Sequence, residues 1–427
     1  MNPSSSKITT SKILELSLLI LAGESIFFLP FVIARVFRPT FLSVFEITNL
    51  ELGSLYSIYG IIAMVSYFFG GPLADRISPR ILLAIALVST AVGGFIMAFA
   101  DSISYLSYLY GFWGLTTILL FWAALIKATR SIGGHRFQSR AFGFLEGGRG
   151  FIAAFVSTLA VGVFAYYLPD GQDSPTLYDQ QMAFRNVIFF FSGWVAIVGL
   201  LIFFFMNKSG TNTAYKNKPV SLGQIREIAN TPNIWFQAII VVCAYVGYKV
   251  TDDFSLLAKE VLDFSDVASA QVGTLALWMR VVTAIIAGVV ADKIGAASKV
   301  ISWGFLLMVL CGLGIGSGLL IGSSAVFYIV TILVTCLGVY SVRGLYFTLI
   351  QEANISSSIT GTTVGLISVI GFTPDIFMGP LMGYLLDENP GALGHQYVFL
   401  VLAGFGLIGW LANYLYRRTK PLVQTDA

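Results

Sequence analysis

Twelve stretches of 19 or more predominantly apolar residues recur along this chain, and no other feature of the sequence limits its fold so strongly. Each is long enough to cross a hydrocarbon core of ~30 Å at ~1.5 Å of rise per residue. They cover residues 13–36, 52–74, 81–99, 104–127, 140–167, 184–206, 233–259, 268–290, 298–320, 325–351, 359–386 and 394–417. Lipid offers no water to satisfy open peptide groups, so only helices and closed barrels span it. A barrel needs segments of about ten residues that alternate apolar and polar, and residues 81–100 do not alternate. The sequence therefore predicts an all-α polytopic membrane protein with twelve transmembrane helices. With 56% hydrophobic and 11% charged residues, a soluble fold is set aside.

The first dozen residues are polar and lead straight into a long span, with no short apolar region and small-residue cleavage site, so the N-terminus is expected to be retained. Cys243, Cys311 and Cys336 all fall within apolar spans. An odd, buried set offers neither a disulfide framework nor a metal spacing, and these residues read as small packing hydrophobes.

An even number of spans puts both termini on one side, so the loops can be assigned alternately. Seventeen Lys and Arg then fall on the terminal side and three, Arg38, Arg185 and Lys259, on the other. Asp101, Asp170, Asp173, Asp179, Glu260, Asp263, Asp266, Asp387 and Glu388 lie with those three. Basic loops stay in the cytoplasm, so both termini are expected there, in a multi-pass cytoplasmic (inner) membrane protein. This one-sided distribution accounts for the net charge of +3 without a nucleic-acid partner.

The longest polar segment follows the sixth span and divides the chain into a half at 1–206, a cytoplasmic loop at 207–232 and a half at 233–427. A repeat agrees with that division. Gly71-Pro-Leu-Ala-Asp75-Arg76-Ile-Ser-Pro-Arg80 follows the second span, and Gly288-Val-Val-Ala-Asp292-Lys293-Ile-Gly295 follows the eighth. Duplicated halves rocking about a midplane site are a recurrent route to alternating access.

The doubled loop, with twelve spans and a basic central segment, resembles the Major Facilitator Superfamily over the whole chain. The resemblance implies two pseudo-symmetric six-helix halves, and it implies a cytoplasmic gate built from Gly71, Asp75, Arg76, Arg80, Asp292 and Lys293. Ser78 and Pro79 depart from the family pattern, which usually has Gly and often a basic residue there. A weaker resemblance points to the organic anion and organophosphate/phosphate porters. It rests on Asp75-Arg76-Ile-Ser-Pro79-Arg80 and on Tyr245-Val-Gly-Tyr248-Lys249-Val-Thr-Asp252-Asp253-Phe-Ser255. The first-helix arginine with which those porters bind phosphate would fall near Phe31, and Arg35 stands one turn further out.

A charge at the centre of a spanning helix costs ~2.5–3.5 kcal/mol on insertion scales, so such residues face a partner or a wet cavity. The third, sixth, ninth and twelfth spans have none in their apolar interiors, and the family places those four helices outermost. The interior charges are Glu24, Glu146, Arg149, Lys249, Arg280, Arg343 and Asp375, in spans that the family places around the central cavity. Glu146 and Arg149 share a helix face and can neutralise each other. Lys249 can reach Asp252 or Asp253. Arg280 and Arg343 carry planar forks suited to a carboxylate, phosphate or sulfonate, although Arg343 can instead pair with Asp375. Tyr346, three residues after Arg343, shares its face.

The expected substrate contacts are thus Arg149, Tyr245, Lys249, Arg280, Arg343 and Tyr346, and Glu24, Glu146 and Asp375 are the carboxylates expected to carry a proton. The leading reading is a secondary active transporter of a small organic anion, by proton symport or exchange for a counter-anion. Proton-coupled efflux of amphipathic or cationic compounds is the alternative, and a non-transporting membrane sensor is the alternative of another class. No paired His, Cys cluster or phosphate loop suggests an enzyme. His135 and His395 each read as solvated. No cofactor or metal is expected, and the protein should act as a monomer in lipid.

Overall fold

The computed structural model of the protein describes residues 10–169, 175–207, 230–352 and 360–419. The connection expected at 207–232 falls almost wholly outside them, as do the side chains of 133–140, which include His135. Among the described residues every regular element is helical. Twelve helices are long and apolar enough to cross a membrane: Lys12–Val36, Asn49–Arg76, Pro79–Met97, Ile103–Ile132, Gly143–Tyr167, Leu177–Phe205, Pro232–Glu260, Asp266–Ile294, Ala297–Gly316, Ala325–Thr348, Gly365–Glu388 and Ala392–Arg418. These are numbered below as spans one to twelve.

Several spans depart from ideal α-geometry, and local chemistry explains where. Pro30 has no N–H to give, and the first span widens into a π-turn over Phe28–Val32 in which Phe31 and Val32 both donate to the Phe27 carbonyl. The fourth span has a second π-segment at Leu115–Trp122. The seventh tightens into a 3-10 turn at Thr251–Asp253. The eleventh, expected to be continuous, breaks after Gly371 and restarts at Pro374, because proline has no N–H to continue the preceding ladder but suits a first helical position. Between spans four and five the backbone stays helical from Ala123 to Tyr167, where a loop was expected.

The chain forms two compact units. One comprises Met1–Ala34, Ser43–Phe45 and Ile58–Tyr215, the other Arg35–Leu42, Glu46–Ser57 and Lys216–Ala427. In the first unit, buried hydroxyls pair within the apolar core: Tyr59 with Thr117 and Thr90 with Thr116, both at 2.7 Å, while the Trp113 indole donates to the Thr90 carbonyl. In the second, Cys243 and Cys336 pack into the main apolar cluster, and all three cysteines are free and buried.

Main chain meets main chain in the second unit where the start of the second span crosses the eleventh. A Cβ on Gly53 would stand 2.2 Å from the Gly379 carbonyl oxygen, and one on Gly383 would stand 2.4 Å from that of Asn49. The Gly379-x-x-x-Gly383 spacing puts both small residues on one face, which lets helices approach this closely. The contact is sealed by polar groups. Thr48 and Glu51 form a capping box, and the Asp387 carboxylate accepts from the Asn49 and Leu50 N–H groups at 3.1 and 2.7 Å. Donors left open at the start of span two are thus satisfied from the end of span eleven.

Candidate functional site

Each unit holds a buried cluster of charges. In the first, glycines bring spans one and five together. A Cβ on Gly148 would lie 2.6 Å from Ile20, and one on Gly23 would lie 3.2 Å from the Arg149 side chain. Arg149 therefore lies across the first span. It donates to Glu24 at 3.1 Å and to Glu146 at 2.6 Å, and its guanidinium rests 5.6 Å from the rings of both Phe27 and Trp122. Glu24 is buried at 4% side-chain exposure, whereas Glu146 reaches outward at 57%. Phe27 and Trp122 border the two π-segments, a kind of irregularity that recurs at functional sites.

In the second unit the helix breaks position the charges. Asp375 stands in the first turn of the helix that restarts at Pro374, where the helix dipole favours an anion. It faces Lys249 at 3.1 Å and accepts from the Tyr245 hydroxyl at 3.0 and 3.1 Å. Lys249 is 2% exposed and does not snorkel; Asp252 is its second carboxylate at 3.8 Å, and its ammonium lies 4.7 Å from the Tyr56 ring. Arg38, Tyr56, Lys249, Asp252 and Met382 line a small cavity there, with Gly53 and Gly379.

Because Lys249 and Tyr245 engage Asp375, Arg343 takes another course. Its guanidinium lies 3.5 Å from the centre of the Tyr248 ring and 5.4 Å from that of Tyr245. Among the described residues no carboxylate comes within ion-pair distance of it, and its buried Nη1 has no hydrogen-bond partner. Arg280 is buried in the eighth span. Tyr346 begins the 3-10 turn after the α-helix ends at Leu345, and its ring packs on Phe347 within the apolar cluster.

The residues expected to form the gate lie at helix ends. Asp75 is exposed, 3.7 Å from Lys127, which donates to the Ala74 carbonyl. Arg80 donates to the Phe203 carbonyl at 2.6 Å and stacks on that ring. Gly71, Arg76, Asp292 and Lys293 are exposed. The two loops turn differently. Gly295 ends its helix at φ 68°, whereas Ser78 is extended with Pro79 opening the next helix. The serine-proline pair thus replaces a left-handed glycine by a proline-directed start.

Arg35, Arg38 and His395 matter more than their sequence context indicated. Arg35 is buried, donates to Asp252 and to the Tyr248 hydroxyl, and lies over the Tyr248 ring. Arg38 holds Asn49 at 2.8 and 3.0 Å and the Asp252 carbonyl at 3.3 Å. A signal existed: the offset of 217 that relates Asp75 to Asp292 also relates Arg35 to Asp252, so equivalent places in the repeat carry opposite charges. His395, expected to be solvated, is 1% exposed between Asp253 and Glu260. Phe399, one turn later on the same face, stacks on Phe254 and draws that face onto span seven.

Comparison with known proteins agrees with this architecture. Residues 18–374 match the Major Facilitator Superfamily. The chain is 27% identical over 386 residues to the inner membrane protein YqcE of Escherichia coli K12, covering 87% of each. It is 25% identical to YihN of the same organism, covering 98% of this chain and 100% of that one. Among solved structures, a bacterial homologue of the human lysosomal transporter Spinster superposes with TM-score 0.70 at 15% identity, covering 97% of this chain and 98% of that one. The nucleoside transporter NupG superposes with TM-score 0.70 at 13% identity, covering 96% and 100%. With twelve spans, a doubled Asp-Arg/Lys loop and this match over most of its length, the chain belongs to the Major Facilitator Superfamily and is a transporter of a solute, not an enzyme.

Proposed function

We propose that this protein carries a small organic anion across the inner membrane by alternating access, driven by proton symport or by exchange for a second anion. The observation that carries the reading is Arg343. Its planar cation is held on two tyrosine rings, without a carboxylate in ion-pair range among the described residues, and one of its donors is unused. A buried cation so placed is preorganised for an anionic group that can use its fork. The surrounding charge agrees, since Arg35, Arg38, Lys249 and Arg343 stand near two carboxylates, Asp252 and Asp375. Tyr245 and Lys249 serve as further anion contacts from the same cluster, with Arg280 of span eight and Tyr346, which follows Arg343 on span ten.

In the other unit Arg149 is shared by two carboxylates, Glu24 and Glu146. That surplus of acid supports proton binding there, with Asp375 the corresponding group beside Lys249. Asp75, Arg76, Arg80, Asp292, Lys293 and Gly71 act at the cytoplasmic gate, with both termini on that side. Similarity to YqcE and YihN, both inner membrane proteins, supports an inner-membrane location.

The test is thermal stabilisation of purified protein by a panel of anionic, neutral and cationic metabolites, because a ligand that binds the native state raises its apparent stability. A charge-assisted contact is worth ~1.5–3 kcal/mol, so Arg343→Ala should weaken binding of the stabilising anion by about ten- to 150-fold. Undiminished anion binding in Arg343→Ala, or stabilisation by lipophilic cations alone, would overturn the assignment.

A further inference from the structure

The 3-10 turn of span seven carries two adjacent carboxylates with different partners. Asp252 holds Arg35. Asp253 meets Nδ1 of His395 at 2.8 Å, and Nε2 of the same ring meets Glu260 at 3.2 Å. Asp253 is fully buried, His395 is 1% exposed, and Glu260 reaches the surface at 36%. The second oxygen of Asp253 is buried without a hydrogen-bond partner. The Asp253–His395–Glu260 group is not used by the anion site.

A neutral imidazole has one N–H and one lone pair. With a carboxylate oxygen within hydrogen-bond range of each ring nitrogen, a neutral ring between two ionised acids would set its lone pair against one of them. Both contacts become hydrogen bonds only when the cluster holds one more proton, on the imidazole or on a carboxylate. Of the other charges nearby, Asp263 and Glu388 are exposed and the rest are committed elsewhere. Lys259 pairs with Asp266 at 2.9 Å, Lys249 with Asp375 and Asp252, Arg38 with Asn49, and Asp387 caps span two. Among the described residues, His395 is the ion-pair partner of Asp253, and no lysine or arginine shares that role.

We infer that His395, Asp253 and Glu260 form a proton-binding site on span seven, reached from solvent through Glu260 and linked through the Thr251–Asp253 turn to the Arg35–Asp252 tie. Loss of the proton leaves Asp253 buried without a counter-charge. The turn relieves this by shifting, and Asp252, the next residue along it, loosens its hold on Arg35. The sign follows: the tie is favoured at low pH, where the proton is bound, and weakens as pH rises. The proton's role in driving transport rests on the anion-transport reading, but the site itself does not.

The chain has two histidines, so His135→Gln leaves His395 as the sole imidazole, and 15N NMR of histidine-labelled protein in bilayers reads both ring nitrogens. At about pH 7.5, a unit above the ordinary histidine value of ~6.5, both should carry protons, and Asp253→Asn should abolish the imidazolium signal. A neutral ring under those conditions in the protein with Asp253 intact overturns the site. If Asp253→Asn does not fold, Glu260→Gln at the surface end should lower the pH at which the signal is lost; an unchanged titration overturns the role of Glu260. Hydrogen exchange across 248–260, corrected for intrinsic rates, should speed up between about pH 6 and pH 9, and His395→Gln should remove that dependence. An equal pH response in His395→Gln overturns the link to the turn. No substrate enters these measurements, so their failure is distinct from retained anion binding in Arg343→Ala.

Discussion

Gly53→Ala tests the tightest glycine contact among the described residues. On the observed backbone the new Cβ would lie 2.2 Å from the Gly379 carbonyl oxygen, 2.3 Å from its carbonyl carbon and 2.6 Å from the Pro380 nitrogen. Ordinary contact lies near 3.5–4.0 Å, so the two backbones must part by roughly 1.3 Å. Rotating a side chain aside does not relieve the clash, because the three nearest atoms are all main chain. Overpacking of this kind costs about 1–3 kcal/mol, while alanine in place of glycine returns ~0.8–1.0 kcal/mol of helix propensity. Gly162→Ala supplies the control, because a Cβ there meets nothing within 4 Å and collects only the propensity gain. The difference between the two variants therefore isolates a steric cost of about 1–3 kcal/mol. At ~2–4 °C per kcal/mol for domains of 150–250 residues, the melting points of the purified proteins should separate by several degrees, with Gly53→Ala the lower. Coincident melting would mean that spans two and eleven do not approach as described, and the argument from backbone contact would fall.

Two further outcomes follow from the polar contacts of the same unit. Lys249→Met leaves Asp375 without its cation, and breaking a buried pair costs ~3–5 kcal/mol; since Asp375 is 16% exposed, the lower end is expected. Adding Asp375→Asn should recover part of that loss in a thermal unfolding cycle, and a double variant no more stable than Lys249→Met alone would refute the pairing. Asp387→Ala removes the acceptor of two N–H groups at the start of span two and of the Asn49 side chain. By analogy with lost helix caps it should cost about 0.5–2 kcal/mol, read as a lower melting point, whereas Glu388→Ala, exposed beside it, should melt with the parent protein.

What the sequence determined by itself was everything that depends on the solvent the helices face. Apolar runs of fixed length, one-sided Lys and Arg and a doubled Asp-Arg/Lys loop sufficed for twelve helices and the family, because lipid leaves the backbone almost no other choice. It also named the charged side chains inside the spans, since each carries an insertion cost that must be met by some partner. Which partner meets it was decided by tertiary structure. Lys249 was close in sequence to Asp252 and Asp253, yet it faces Asp375, 126 residues away, because the helix restart at Pro374 brings that carboxylate to it. That choice is also what leaves Arg343 on the tyrosine rings without an acid in ion-pair range among the described residues. Arg35 and Asp252 meet across 217 residues, and His395 is buried through the stacking of Phe399 on Phe254. Helical periodicity tells which residues share a face. It does not tell which face of another helix comes within 3 Å, and for buried charges that distance decides which of them are spent on each other and which are open to a ligand.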